Sequence, residues 1–383
     1  MARLGDIFTV SSGGTPNKKE PSFYESGTIP WVKTGDLKGK YIPEGIECIT
    51  EAGLNNSSAK LFPKDTVLIA MYGATIGACS ILPYEASTNQ ACAAFLPHND
   101  VLPEYLFYFL SSKKEQFVKD GVGGAQPNIS AGYLKNVEFD LKPIGKQKEI
   151  VGSLNLVDEL ICFRKQQLAK LDELVKARFV ELFGDPVVNE KGWDTKPLLE
   201  MGSCKNGMNF HYEDTGVEIN CLGVGDFKDY SIISDTSILP TVSLNEMPSS
   251  DYMLQDDDIV FVRSNGNKAL VGRSVAVYPG DIPTTFSGFC IRYRKTDEAV
   301  NIPYLLRVLK AESVRQKMAG RGANIQNLNQ QILGTLIIPV PPMELQNQFA
   351  AFVEQTDKSK LEVQKSLEKL ELLKKALMQK YFG

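Results

Sequence analysis

Two stretches of the chain carry the same helical pattern. Stepping alternately four and three residues from Ile150 gives Ile150, Leu154, Val157, Ile161, Arg164, Leu168, Leu171, Val175, Arg178 and Leu182, of which eight are apolar. The same steps from Phe349 give Phe349, Val353, Thr356, Lys360, Val363, Leu367, Leu370, Lys374, Leu377 and Tyr381, of which seven are apolar. A 3.5-residue repeat held this long places one narrow apolar seam along each of two helices, and such a seam needs a partner helix to bury it. The obvious partner is the other copy, in an antiparallel coiled coil. Arg164 and Lys374 inside the seam weaken the coil and leave open a second reading, two amphipathic helices each lying on its own domain. Ahead of each helix stands a block rich in Gly, Pro, Asn and short β-branched runs, such as Thr66-Val-Leu-Ile and Ile259-Val-Phe-Val. These blocks predict compact, mostly β domains with long loops and an occasional helix, as over residues 104–117.

The chain is written twice. At a constant displacement of 199 residues, Asn128 falls on Asn327, Leu134 on Leu333, Pro143 on Pro342, Gln147 on Gln346, Leu171 on Leu370 and Gly184 on Gly383. Earlier in each copy the match loosens, but Gly35-Asp36 aligns with Gly225-Asp226, and Asp65-Thr-Val-Leu with Asp257-Asp-Ile-Val. The repeat divides the sequence into a block over 1–142, a helix over 143–184, a second block over 185–341 and a second helix over 342–383. Antiparallel pairing of the helices would relate the two blocks by a pseudo-twofold axis, a symmetry that duplex DNA shares.

Composition narrows the chemistry. With 43% hydrophobic and 23% charged residues, 383 residues suffice for two cores in a soluble chain. Seven cysteines without a CxxC pair point to reduced, core-packed thiols and a cytoplasmic protein. The first residues, MARLGDIFTV, lack a signal pattern and read as the start of the mature fold. With His98 and His211 the only imidazoles, most metal sites and a Ser-His-Asp hydrolase are disfavoured. No charge occurs between Asp65 and Glu85, but Gly73, Gly77, Pro83 and several hydroxyl residues interrupt that run, so it reads as two buried strands and a loop rather than a membrane span.

Charge distribution says more than the net charge of -4. From Arg263 to Lys295 there are six basic residues (Arg263, Lys268, Arg273, Arg292, Arg294, Lys295) against Asp281, and from Arg307 to Arg321 five against Glu312. This predicts a basic face on an acidic molecule. Base edges are read by side chains with paired donors and acceptors, Arg for guanine and Asn or Gln for adenine. Arg263, Ser264, Asn265, Asn267 and Lys268 bring those chemistries into six residues between apolar strands, with Arg273 following. The first-copy counterpart, with Tyr72 and Thr75, is uncharged, so the two blocks should read different letters. Lys33, Thr34 and Asp36 form a second candidate loop, and Asn89 with Gln90 a third. The Gly-rich turns place Gln126, Asn128, Arg321, Asn324 and Gln326 beside the helix starts, where they and backbone N–H groups suit phosphate. Catalytic motifs are missing: there is no GxxxxGK[S/T] loop, no GxGxxG after a strand and no Asn-Pro-Pro-aromatic motif. Gly223-Val-Gly225 reads as a turn.

The segments GGAQPNIS…LKNVEFDLKPIGKQKEI and GANIQNLNQQILGTLIIPVPPMELQNQF, the endings FVELFGDP and LMQKYFG, and VRSNGNKALVGRSVAVY resemble the specificity subunits of type I restriction-modification systems. The resemblance covers essentially the whole chain. It implies an α+β fold: two pseudo-symmetric, mixed and mostly β target-recognition domains separated by two long antiparallel coiled-coil helices. It also implies a non-catalytic DNA-specificity subunit that binds double-stranded DNA at two specified segments with an unread gap. The partners implied are methyltransferase (M) subunits and restriction/translocase (R) subunits, and no membrane. This chain would bind no cofactor, S-adenosylmethionine, ATP and Mg being expected in the partner subunits. Two alternatives stand beside it, a pseudo-symmetric protein-binding scaffold and the specificity subunit of a fused restriction-methylation enzyme. On the resemblance, a 40-residue helix from Gly145 would be a ruler of roughly 60 Å, comparable to about 17 base pairs.

Overall fold

The computed structural model describes residues 2–122, 128–210, 215–227, 231–267, 269–319 and 327–383. The chain forms two compact units, Met1–Gln166 with Gln364–Gly383, and Gln167–Val363. Four helices matter below: α1 (Pro103–Ser112), α2 (Ile144–Phe183), α3 (Ile302–Lys310) and α4 (Met343–Phe382).

In the first unit the uncharged stretch after Asp65 folds as two antiparallel strands, Val67–Ala70 and Cys79–Ile81. They belong to an antiparallel sheet ordered Val10–Ser12, Cys92–Phe95, Val67–Ala70, Cys79–Ile81. A second sheet runs Cys48–Ile49, Ile29–Val32, Ala86–Thr88, Leu61–Phe62, with Ile29–Val32 parallel to Ala86–Thr88. The second unit repeats this plan. Gly202–Asn206, Cys290–Lys295, Asp258–Val262 and Ser274–Val277 form the first sheet with Ile232–Ile233 added at its edge, and Val217–Leu222 runs parallel to Thr284–Phe286 in the second.

The central strands read as unbroken apolar runs because both of their faces are buried. Val67 and Ile69 join a core with Phe95, Tyr105 and Phe139, while Leu68 and Ala70 join another with Val32, Phe62 and Ala86. In the second unit Ile259 and Phe261 pack with Tyr304 and Phe349, and Val260 and Val262 with Leu222 and Phe286. The outer core of each unit includes long-helix residues: Ile150, Leu154 and Phe382 in the first, Val175, Phe179, Phe183 and Phe349 in the second. The helix read over 104–117 is in fact two, α1 and Lys114–Asp120, broken at Lys113, whose amine donates to the Phe382 carbonyl at 2.8 Å.

Both long helices begin one residue after a proline, Pro143 and Pro342, where the missing N–H costs nothing. Every one of the twenty seam positions is buried or half-buried. Between Glu159 and Leu174 only Ile161, Arg164, Leu168 and Leu171 escape exposure, which is the seam alone. The pairing is antiparallel in each unit. Asp158 faces Lys374 at 2.6 Å, and Arg164 Nε donates to Ser366 Oγ at 3.2 Å. In the other unit Asp172 faces Lys360 at 2.5 Å. Arg164, Lys360 and Lys374 inside the seam are therefore matched across it, Arg178 pairs with Glu181 of its own helix, and the coil is kept.

The repeated glutamine joins each helix to its β block. Gln147 accepts from Leu102 N and donates to the carbonyls of Asp100 and Lys142 at 2.7 and 2.8 Å. Gln346 accepts from Asn301 N and donates to Ala299 and Pro341, both at 2.9 Å.

Candidate nucleic-acid interface

One end of the paired sheets in the first unit is tied together by backbone hydrogen bonds between loops distant in sequence. Asn89 N donates to Val32 O, Met71 N to Ala91 O and Ile129 N to Met71 O, each at 2.9 Å, and Gly14 N reaches Thr88 O at the same distance. Tyr72 forms a bridge with Asn128. This knot gathers Lys33, Thr34, Asp36, Tyr72, Thr75, Asn89, Gln90 and Asn128 at the end of one domain. Gly13 makes the close approach possible, since a Cβ there would lie 1.9 Å from the Thr88 carbonyl oxygen.

Several of these side chains have local duties. Asp36 accepts from Lys33 N at 2.8 Å and so caps its own turn, and Thr75 Oγ1 donates to Tyr72 O at 3.2 Å. Lys33 pairs with Glu47 at 2.6 Å, a hydrogen bond that raises the lysine pKa. Both partners are well exposed, so the pair is weak and its ammonium is available to exchange partners. The Tyr72 ring is exposed, and Gln90 accepts from the Thr15 hydroxyl.

The second unit ties the same knot. Ser287 N donates to Leu222 O at 3.0 Å, and Arg263 N to Phe289 O, Leu328 N to Arg263 O and Gly288 N to Met208 O, each at 2.8 Å. Gly223 to Asp226 is the turn expected, its Gly223 N capped by Asp226 at 2.8 Å as Asp36 caps Lys33. Arg263 is half-buried and donates Nη1 to Gly288 O at 3.3 Å. Ser264 is half-buried beside it. Asn265 and Asn267 spend their amide oxygens on Asn267 N and Ala269 N. Arg273 lies at the start of the strand Ser274–Val277, close enough to Arg315 to lower its pKa alongside the larger effect of burial. Gln126, Lys268, Arg321, Asn324 and Gln326 lie outside the described residues.

Among the described residues, Arg292, Arg294, Lys295 and Lys310 do not join an open basic face. Arg294 makes two hydrogen bonds to the fully buried Asp258, at 2.8 and 2.7 Å, and a third to Met253 O. Arg292 is buried, donates to Asp251 O, and has its pKa lowered by burial and by Arg294. Lys295 pairs with Glu298. Lys310 lies against the long helices and donates to Ser231 Oγ at 2.8 Å, with burial and the cations Arg307 and Lys360 pushing its pKa down to about 8. Arg292, Arg294 and Lys310 are spent on partners inside the fold, which is why a count of charges along the chain misplaced them.

Sequence reasoning missed Thr15, Asn209, Ser287 and Phe289. Phe289 stands out as a large aromatic side chain exposed inside a polar loop cluster. A usable signal was the glycine at Gly207, where a Cβ would lie 2.1 Å from Ser287 O, the counterpart of Gly13.

Two copies of one β domain, each presenting hydroxyl and amide side chains, with a guanidinium in one of them, on a knot of loops and each built with part of a long antiparallel helical pair, define a duplicated binding protein. Residues 1–173 and 190–372 each match the type I restriction modification DNA specificity domain, and the chain belongs to that family. It is a DNA sequence-specificity subunit, a family that is not itself catalytic. The chain is similar to the MjaIX specificity subunit of Methanocaldococcus jannaschii, 26% identical over 99% of this chain and 91% of that protein. The StySPI specificity subunit of Salmonella potsdam is 24% identical over 100% and 88%. Among solved structures, the S subunit from M. genitalium superposes with a TM-score of 0.56 at 18% identity, over 100% of this chain and 95% of that one. A chain from a structure of type I restriction-modification complex assembly and conformational transition gives 0.62 at 17%, over 100% and 96%. These structures share the fold. Among the described residues no helix is long and apolar enough to cross a membrane.

Proposed function

We propose that residues 1–142 and 185–341 are two target-recognition domains that read the two specified segments of a bipartite double-stranded DNA target, with 143–184 and 342–383 as spacer helices. The observation that carries this reading is the loop knot itself. Both units tie the same backbone hydrogen bonds at the same sheet ends, Met71 to Ala91 and Arg263 to Phe289, while the side chains projecting there differ. A constant frame with variable side chains is what two readers of different letters need. Methyltransferase subunits bind along the helices and bring S-adenosylmethionine. Restriction subunits bring ATP and Mg, and the complex works in the cytoplasm. Support for a partner surface comes from Leu156, Leu160 and Phe163, exposed at spacings of four and three on the outer side of α2.

Methylome sequencing of cells expressing the chain with its methyltransferase tests this. For wild type the expected result is one motif of two specified segments. Arg263→Ala should relax one segment, weakening binding to that half by about 1 to 3 kcal/mol, and leave the other intact. Equal loss at every position would mean that Arg263 serves the fold or holds phosphate. If no motif is methylated at all, the chain is a protein-binding scaffold.

A further inference from the structure

Among the described residues, Phe289 belongs to neither hydrophobic core of its unit. Its ring is 61% exposed, whereas Phe286 and Cys290 on either side are fully buried. Covering a phenylalanine is worth about 1.5 to 3 kcal/mol, and here the chain forgoes much of that gain. The position is nonetheless held firmly. The Phe289 carbonyl accepts from Arg263 N and Ser264 N at 2.8 and 3.4 Å, and Phe289 N donates to Ser287 Oγ at 3.3 Å. The preceding Gly288 is buried and pinned to Met208 O, with the Asn209 side chain against it. The ring is therefore carried by a fixed backbone, next in the chain to Gly288, on which the Arg263 guanidinium and the Asn209 side chain converge.

The first unit supplies the control. Ala91 accepts the same backbone hydrogen bond, from Met71 N at 2.9 Å. The frame does not need an aromatic ring at this place, so the ring serves something outside the frame. In the major groove one base-pair type offers an apolar group beside hydrogen-bonding atoms: the A·T pair, with the thymine 5-methyl group next to O4 and the adenine N6 and N7. An exposed apolar ring one residue from a glycine that meets a guanidinium and an amide suits that surface.

We propose that Phe289 is a specificity-determining residue that packs against the 5-methyl group of a thymine in the segment read by the second unit. This rests on the DNA-reading assignment above. The test uses the assembled methyltransferase complex and the motif found by methylome sequencing. Each thymine of both segments, on either strand, is replaced in turn by deoxyuridine, which lacks only the methyl group, and binding is measured by competition. For wild type one substitution in one segment should weaken binding roughly four-fold, the value of one buried methyl group. Phe289→Ala should bind the unmodified duplex at least four-fold more weakly, lose its response to that one substitution, and keep its responses in the other segment. Phe289→Leu should retain part of the response. The proposal is overturned if the segment relaxed by Arg263→Ala contains no specified A·T pair, if Phe289→Ala still responds to the methyl deletion, or if it loses affinity equally for duplexes of any sequence, as a ring wedged between base steps would. Failure to find any methylated motif sinks the DNA-reading assignment instead, which keeps the two failures apart.

Discussion

At the residue scale, the two copies preserve side chains whose hydrogen bonds close the join between a β block and its helix. Gln147 and Gln346 are both 0% exposed and each satisfies three backbone groups. Tyr105 and Tyr304 do the same for Asp140 O and Pro339 O, at 3.0 and 2.9 Å. A buried amide or carbonyl stripped of its partner costs about 1 to 3 kcal/mol. Gln147→Ala should therefore lower the unfolding free energy by about 3 kcal/mol in urea titration, while Gln364→Ala, exposed on α4, should change it by under about 0.5 kcal/mol. Equal effects from the two would remove Gln147 from its role as a joint.

At the element scale, α2 shows two apolar stripes with different fates. The inner one, through Val157 and Leu168, is buried or half-buried, and its two ends join the unit cores at Leu154 and Val175. The outer one, Leu156, Leu160 and Phe163, is open to solvent. Substituting the two stripes should separate stability from assembly. Leu160→Lys combined with Phe163→Asp leaves the seam intact, so the melting temperature should hold while affinity for the methyltransferase falls at least about ten-fold, as loss of apolar anchors at an interface does. Leu154→Asp buries a charge beside Ile150 and should unfold the first unit instead. Co-purification with the methyltransferase, read beside a melting curve, decides it. An assembly that tolerates the outer pair would place the partner elsewhere.

At the scale of the whole molecule, each unit takes part of each long helix, α2 passing from one to the other after Gln166 and α4 after Val363. If these helices set the unread gap, lengthening both by the same amount should lengthen it. Four residues inserted after Lys170, with four more after Glu362 to keep the antiparallel partners opposite, add at most about 6 Å and turn the seam by about 40°. The preferred gap should then grow by one or two base pairs with both segments keeping their letters, as methylome sequencing would report. New letters, or an unchanged gap at full activity, would mean that something other than the helices measures the distance.

What the sequence determined by itself was whatever a short window encodes. The seam of α2 and α4 is spelled by apolar residues three and four apart, and the helix starts by Pro143 and Pro342. The uncharged run after Asp65 resolves into strands because Gly73 and Gly77 break it, both at positive φ. The repeat was legible because a copy at fixed displacement needs no geometry to be seen. The candidate loops around Arg263, Asn89 and Lys33 were visible as polar turns between apolar strands. Tertiary structure alone decided what depends on partners far away in the chain. The parallel pairing of Ile29–Val32 with Ala86–Thr88, which brings Lys33 beside Asn89, is a register between segments more than fifty residues apart with no local signature. Arg292 and Arg294 looked like part of a basic face, but the buried carboxylate of Asp258 and nearby carbonyls claim them. Phe289 carried no signal of its own among the apolar residues that follow it. A strand pattern fixes which residues alternate, but the loop knot fixed where the strand begins, and so left that ring outside.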